Sequence, residues 1–488
     1  MTIAFNEIPG TLRAPGSRTE FNNELAKKGA NIKPYRALLI APATGGSAEA
    51  GKAVPITRLE QAAGMFGAGS LMYWAAKGWF DNKGGDIETF ALPLANTSGS
   101  AASGKIQIAG TVQDGGVVYL YIGGQAVKLA VKANDGAAAV ATALAAAVNA
   151  AADLPVSAQA DAGAVTLTAK NKGLPGNEID LRLNYYPRDE QTPTGLTISI
   201  TAMAGGAGTP DLAAALAGLG DKQFDVMVMP FTDAASLKAV EDELASRWGP
   251  MRAIGGLVFV AKADNYAELT TLGNGRNSPF SVIGGLPGVP NLPVQLAAAT
   301  AAQAAFAAQN DPARPFQTLE LKGILPPADS AQLTLQERNL LLYNGISTYR
   351  TNAGGAVMID MLISTYKVGK LGQADESYLL INTVWTLSYL RYDWDTYIQQ
   401  KYPRHKLADD GNKFPSGQPI MTPSGMKAEM VARAQIWQAL GLVENIDQFT
   451  ADSYAERNIG NPTRLDTFMV PDLVNPWIIT GNVIAFIV

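Results

Sequence analysis

The amino-acid sequence predicts an α/β (α+β) main domain, a mixed sheet flanked by helices. A small β-rich α+β domain is inserted into it, and extended N- and C-terminal arms flank it. Three observations lead there. Strand-like and helix-like segments alternate over 34–95 and again from 206 onward. Between them, residues 105–202 are poor in charge and rich in Val, Thr, Ala and Gly, and they lie between two small-residue stretches, ANTSGSAASGK and MAGGAGTP. Both chain ends carry apolar residues in strand-like runs with no fold of their own around them. The predicted divisions are an N-terminal arm 1–33, a main domain 34–95 and 206–471, an inserted domain 96–205, and a C-terminal arm strand 472–488.

The composition suits this reading. The chain has 488 residues, 47% hydrophobic and 17% charged, which describes a globular protein with a large core rather than a disordered one. The net charge of -5 gives no basic excess for nucleic acid. With no cysteine and a single histidine, His405, disulfides and multi-histidine metal sites are excluded within one chain. The opening MTIAFNEIPGTLR lacks the basic and apolar regions of a secretion signal. The longest nearly apolar run, VQLAAATAAQAAFAAQ (294–309), is shorter than the ~20 residues that span a bilayer. The expectation is a protein folded in a cytoplasm, without membrane insertion.

Taken in order, the main domain starts with the strand YRALLIAPA (35–43). Helices over ITRLEQAAGMFG and SLMYWAAKGWFDNKG and a strand DIETFALPL (86–94) follow. The insert holds strands KIQIAGTV, VVYLYIGG, AVKLAVK, AVTLTAK and LTISITA and a helix over 137–152. After it, Thr209 and Pro210 have the chemistry to start a helix 210–218. A strand over 225–230, a helix 233–247 capped by Asp233, a strand 256–261, a helix 265–272, a strand 280–285 and the Ala-rich helix 294–309 then imply a largely parallel sheet. TLQE (334–337) is a capping box for helix 335–343. GISTYR and AVMIDMLIST read as a hairpin around TNAGG. A long Trp- and Tyr-rich helix is expected from Glu376 to about Gln400, with Asp375 and Glu376 favouring its N-terminus. Ser424 is expected to cap a helix 426–440 that Gly441 ends. Strands are expected from there to Val488.

Candidate chemistry is sparse. GSAEAGKA (46–53) places Gly46, Gly51 and Lys52 at P-loop spacing after a strand, but Ala53 stands where a Mg²⁺-binding Ser or Thr is needed and VPI follows instead of a helix. A flexible loop is the better reading, and no cofactor, metal or catalytic residue is expected. In YDWD the two acids, Asp393 and Asp395, are two apart and do not share a helix face. The basic cluster Arg404, His405, Lys406, opposite Asp409 and Asp410, reads as a solvated loop or a charged contact with another subunit. The ends say more. Ile3, Phe5 and Ile8 sit in an arm broken by Pro9, Gly10, Pro15 and Gly16. At the other end, Val483, Ala485 and Ile487 alternate with Ile484, Phe486 and Val488, so the strand is apolar on both faces and belongs inside a sheet. That sheet is either its own or, by strand addition, a neighbour's.

ARPFQTLELKGIL (313–325), ERNLLLYNGISTY (337–349), PRHKLADDG (403–411) and PDLVNPWIITGNVIAFIV (471–488) resemble the tail sheath proteins of Mu-like contractile-tailed phages, as does AVTLTAKNKGLPGNEIDLRL (164–183) in the insert. The resemblance covers nearly the whole chain. It implies a structural, non-enzymatic function: subunits stacked in six-membered rings around a tail tube, contracting from a metastable extended state to drive the tube through the host envelope. The implied partners are the chain itself, the tail tube protein, and baseplate and tail terminator proteins, with no nucleic acid. The implied location is the virion tail, assembled in the host cytoplasm. Ile3, Phe5, Ile8 and 483–488 become subunit-linking arms, and Arg404, His405, Lys406, Asp409 and Asp410 become candidates for subunit or tube contact. The tube-facing surface is expected in the later main domain near the long helix, and the insert outside. Contractile bacteriocins and type VI secretion share this architecture and are the alternative setting.

Overall fold

The computed structural model describes residues 15–19 and 32–487, apart from 97, 98 and 416. At its centre is an eight-stranded sheet in the order Val357–Met361, Ser347–Thr351, Ser281–Gly285, Leu257–Lys262, Val226–Val228, Arg36–Pro42, Glu88–Leu94, Val54–Pro55. The five inner pairings are parallel and the two outer ones antiparallel. Arg36–Pro42 buries every residue after its first, as a strand covered on both faces must.

The helices Leu71–Asn82 and Pro293–Asn310 pack against each other, and the second also covers the sheet. Its alanines let the backbones come close, and its buried positions run nearly all round the helix. Gly78 marks the tightest point: a Cβ there would lie 2.4 Å from the Gln295 carbonyl oxygen and 3.0 Å from its Cα.

The stretch 312–325 has no helix or strand of its own, so its backbone groups need other partners. Three buried asparagines supply several of them. Asn82 Nδ2 donates to Lys322 O (3.0 Å) and its Oδ1 accepts from Lys322 N (2.7 Å). Asn291 Nδ2 donates to Gly323 O (2.9 Å) and its Oδ1 accepts from Leu325 N (2.7 Å). Asn382 Nδ2 donates to Pro312 O and Arg314 O, each at 2.9 Å. Held this way, 318–321 bonds along the outer strand Val357–Met361: Thr318 N to Ile359 O, Ile359 N to Leu319 O and Leu321 N to Val357 O. The sheet edge is thereby covered.

Between Glu88–Leu94 and Val226–Val228 in the chain, the β-rich segment forms sheets of its own. One is four-stranded and antiparallel, in the order Leu196–Ala204, Ala101–Gly110, Ala164–Lys172, Val156–Asp161. The other is three-stranded, Gln125–Val131, Gly116–Ile122, Leu181–Leu183. Helix Ala137–Ala150 lays Val140, Leu144 and Val148 into the core. Val156–Asp161 and Leu181–Leu183 escape the sequence reading because the first is built of small and polar residues and the second is three residues long.

The chain divides into two compact units. One is Pro34–Tyr389 with Asn475–Val488, which holds everything above; the other is Leu390–Val474 with the residues before Pro34. In the second, helices Pro423–Ala439 and Ile446–Asp452 accompany three two-stranded ladders. These are Lys406–Leu407 with Ile420–Met421, Val443–Glu444 with Asp472–Leu473, and Tyr454–Arg457 with Leu465–Phe468.

Asp233 and the Thr334–Glu337 capping box start their helices as expected. Four expectations are corrected. The helix after the insert is Leu212–Ala217, capped by Asp211, whose carboxylate accepts from Ala214 N; Thr209 and Pro210 lie outside it. Thr422, not Ser424, caps Pro423–Ala439, because Ser424 is taken up by Asp410. The long helix is Ile381–Lys401 rather than one from Glu376. Asp375 instead accepts from Tyr366 Oη (2.6 Å) and Ser377 N (2.9 Å), and Leu380 bridges to Ile363, which holds 375–380 out of the helix. The stretch after Gly441 contains the helix Ile446–Asp452, and 474–487 forms no strand within its own chain.

Gly78→Ala tests the helix crossing. On helix propensity alone the change stabilises by about 1 kcal/mol. The close backbone contact reverses the sign, so urea denaturation should show a lower midpoint, with a net loss of about 1–3 kcal/mol. A higher midpoint would contradict this packing.

Candidate assembly interface

The P-loop-like stretch is engaged by its own fold. Thr44 N donates to Phe66 O, Ser47 N to Gly64 O, Ala48 N to Met65 O, and Gly51 N to Pro93 O. The amides that would cradle a phosphate therefore bond to the end of helix Glu60–Phe66 and to strand Glu88–Leu94. Gly46 (φ 98°) is pressed against the Met65 backbone. Lys52 Nζ pairs with Glu49 at 2.7 Å on the surface, and Val54–Pro55 follows as a strand.

In the second unit, the long helix carries a buried carboxylate. Asp393 takes both arms of Arg433, with Nε to Oδ2 at 2.6 Å, and also accepts from Trp437 Nε1 at 2.7 Å. Both charged side chains are almost completely buried. Arg433 also lies over the Tyr397 ring, 4.8 Å away. One turn further, Glu429 accepts from Lys401 Nζ (2.8 Å) and from Tyr397 Oη. Burial works to raise the Glu429 pKa, but the hydrogen bonds from Lys401, Tyr397 and Tyr402 outweigh it and hold it below its ordinary value. Asp393 is the one of the YDWD acids that organises a site. The signal for it was a carboxylate in the middle of a Trp- and Tyr-rich helix; its partners, some forty residues away, carried none.

The loop acids do not serve the basic cluster. Asp409 pairs with Arg457 (3.0 Å), and Asp410 caps through Ser424, whose hydrogen bonds hold the Asp410 pKa below its usual value. Lys406 Nζ instead donates to Gln418 Oε1 (2.9 Å), and His405 stands edge-on to Tyr402 at 4.9 Å. Arg404, His405 and Lys406 remain exposed on the surface.

The C-terminal segment is the most unusual surface feature. Val483 and Ile487 are 96% and 101% exposed, and Ile484, Ala485 and Phe486 are exposed beside them. Val488, like Ile3, Phe5 and Ile8, lies outside the described residues. The main sheet offers this run no place. One edge is covered by 318–321, and the other ends in the two-residue strand Val54–Pro55, whose proline has no N–H to give. The ladder Tyr454–Arg457/Leu465–Phe468 differs. It is two-stranded among the described residues, it exposes Tyr454 and Phe468 with their rings tilted and 5.3 Å apart, and Ile459 at its turn is fully exposed. Two strands alone are marginal in water, so such a ladder gains from a third.

Comparison with known proteins gives two family matches, both from residue 205 onward. Residues 205–365 match the family model for the phage tail sheath protein central domain, and 373–480 match that for the phage tail sheath C-terminal domain. The Mu-like prophage FluMu tail sheath protein of Haemophilus influenzae is 40% identical over 489 residues, covering 100% of both chains. Among solved structures, a sheath tail protein of Desulfitobacterium hafniense is 11% identical (TM-score 0.46; 94% of this chain, 100% of that one). The helical sheath of the anti-feeding prophage in its contracted state is also 11% identical (TM-score 0.46; 98% and 99%).

Two outcomes follow from the buried cluster. Arg433→Met strands the Asp393 carboxylate and should cost about 3–5 kcal/mol in chemical denaturation; a neutral result would mean Asp393 is solvated. Because Glu429 has a depressed pKa, its contribution is present above the ordinary glutamate range and lost as pH falls through the folded value. Melting curves should therefore show Glu429→Gln less stable at pH 7, with a shallower decline below about pH 4 than the parent.

Proposed function

The chain belongs to the phage tail sheath family, and on that premise we propose that it is the sheath subunit of a Mu-like contractile tail. In this reading it assembles into stacked six-membered rings around a tail tube, above a baseplate and below a terminator. The sheath shortens from a metastable extended state and drives the tube through the host envelope. The energy resides in the difference between two packings of the same subunits, separated by a barrier, with no nucleotide consumed.

The single observation that carries this for the present chain is the bare apolar run 483–487 on a folded body whose main sheet has closed edges. A strand apolar on both faces is satisfied by entering another subunit's sheet. The ladder Tyr454–Arg457/Leu465–Phe468 is the acceptor we favour, and Ile3, Phe5 and Ile8 form the matching N-terminal arm. Main-chain pairing at the arms resists breaking. The bodies, joined by weaker polar contacts such as those available to Arg404, His405, Lys406, Asp409 and Asp410, are then free to slide. A linked head-to-tail contact of this kind builds rings and helices. We place the surface near the long helix toward the tube and the β-rich segment 96–205 outside, where an insertion is tolerated.

Negative-stain microscopy of the purified protein tests this. The full chain should form hollow tubes with six-fold end views. A chain lacking 483–488 should keep its melting temperature and remain monomeric. Tubes from the truncated chain would overturn the arm assignment, and a full chain that stays monomeric at every concentration would overturn the sheath reading.

A further inference from the structure

The C-terminal segment does not leave the body where its last short strand ends. Over 475–479 the residues alternate, with Pro476 and Ile478 half-buried and Asn475, Trp477 and Ile479 exposed. Ile478 forms one wall of a small cleft, with Phe316, Asp360, Leu362, Leu380 and Asn382 among the others. Gln317 Nε2 donates to Trp477 O at 3.4 Å, and Trp477 Nε1 donates to Ile479 O at 3.2 Å. The walls of the cleft are stiff. Asn382 is fixed by two backbone carbonyls, and Phe316 stands edge-on to the buried Trp385 at 5.4 Å. From 480 to 487 every residue is exposed.

We infer that Ile478 is the anchor of the C-terminal arm, a positioning residue that sets where the arm leaves its own body and how far it reaches. The inference rests on the strand-addition reading above and adds a length to it. With Ile478 seated, 480–487 spans at most about 26 Å when fully extended; with it released, 475–487 spans about 43 Å. The socket is a length stop. Filled, it restricts the arm to an acceptor edge within the shorter span and holds it at high effective concentration there. Emptied, it adds slack, and the effective concentration falls. A single half-buried apolar side chain in a shallow cleft is suited to this, because its seat is weak and reversible.

The test uses the full chain with Ile478→Asp, and Ile478→Leu as the conservative control. Because the chain has no cysteine, a nitroxide on Thr480→Cys reports the mobility of the root of the arm in the free subunit, and the critical concentration for tube formation is read by light scattering. Ile478→Asp should leave the melting temperature of the body unchanged. It should speed the label's motion several-fold and raise the critical concentration several-fold. Ile478→Leu should keep both at the parent values. Unchanged label motion in Ile478→Asp would overturn the seat. Faster motion with an unchanged critical concentration would overturn the length stop. If the parent chain itself never assembles, strand addition falls and the length stop with it, while the label still decides the seat.

Discussion

A stretch that as a strand would be apolar on both faces belongs inside a sheet, and the exposed run 483–487 is one that the main sheet of its own chain does not take up. That constraint shapes the rest of the molecule. On one side of the eight-stranded sheet, 318–321 bonds along Val357–Met361; on the other, Val54–Pro55 is too short and lacks a donor. Edges closed this way protect a body from indiscriminate pairing. They also leave the exposed run 483–487 outside the main sheet, whereas the ladder Tyr454–Arg457/Leu465–Phe468 and the sheets of the β-rich segment end in strands with no further partner strand among the described residues. Under the proposed strand addition, closed edges on the large sheet would exclude it as the acceptor.

The body around the sheet is built to keep its shape. An Ala-rich helix packs at a glycine-width crossing, and an irregular segment is held by the side-chain amides of Asn82, Asn291 and Asn382. Each amide both fixes a backbone group and forbids alternatives, since a buried donor or acceptor left unpaired costs about 1–3 kcal/mol. In the second unit, the Asp393–Arg433–Trp437 cluster does the same between two helices. Rigid bodies joined by terminal segments would serve the two-state assembly proposed above, because a soft body would absorb the displacement instead of passing it on.

The parallel core was legible in the sequence, because continuous apolar runs such as RALLIAP, alternating with amphipathic or Ala-rich stretches, leave few other folds. The Thr334–Glu337 capping box could be placed to the residue. Elsewhere local signals competed. Asp375 looked like a helix-start acid but was engaged by Tyr366 and Ser377, and Ser424 was drawn off by Asp410. What was invisible is the long-range polar chemistry. Nothing near Asn82 announces Lys322, and nothing near Asp393 announces Arg433, because hydrogen bonds between distant segments leave no periodicity. The arm was legible as an anomaly, a run apolar at alternate and intervening positions alike, and the assembly meaning came from long ordered blocks resembling one family.

Hydrogen–deuterium exchange on assembled tubes, read amide by amide over 480–487 and compared with the free subunit, tests the central claim most directly. If these residues enter a neighbour's sheet, their amides exchange within seconds in the free subunit. In the assembly they become protected in an alternating pattern, together with those of Tyr454–Arg457 or Leu465–Phe468 on the accepting side. Tubes in which 480–487 exchanges as fast as in the monomer would show that the subunits are joined some other way.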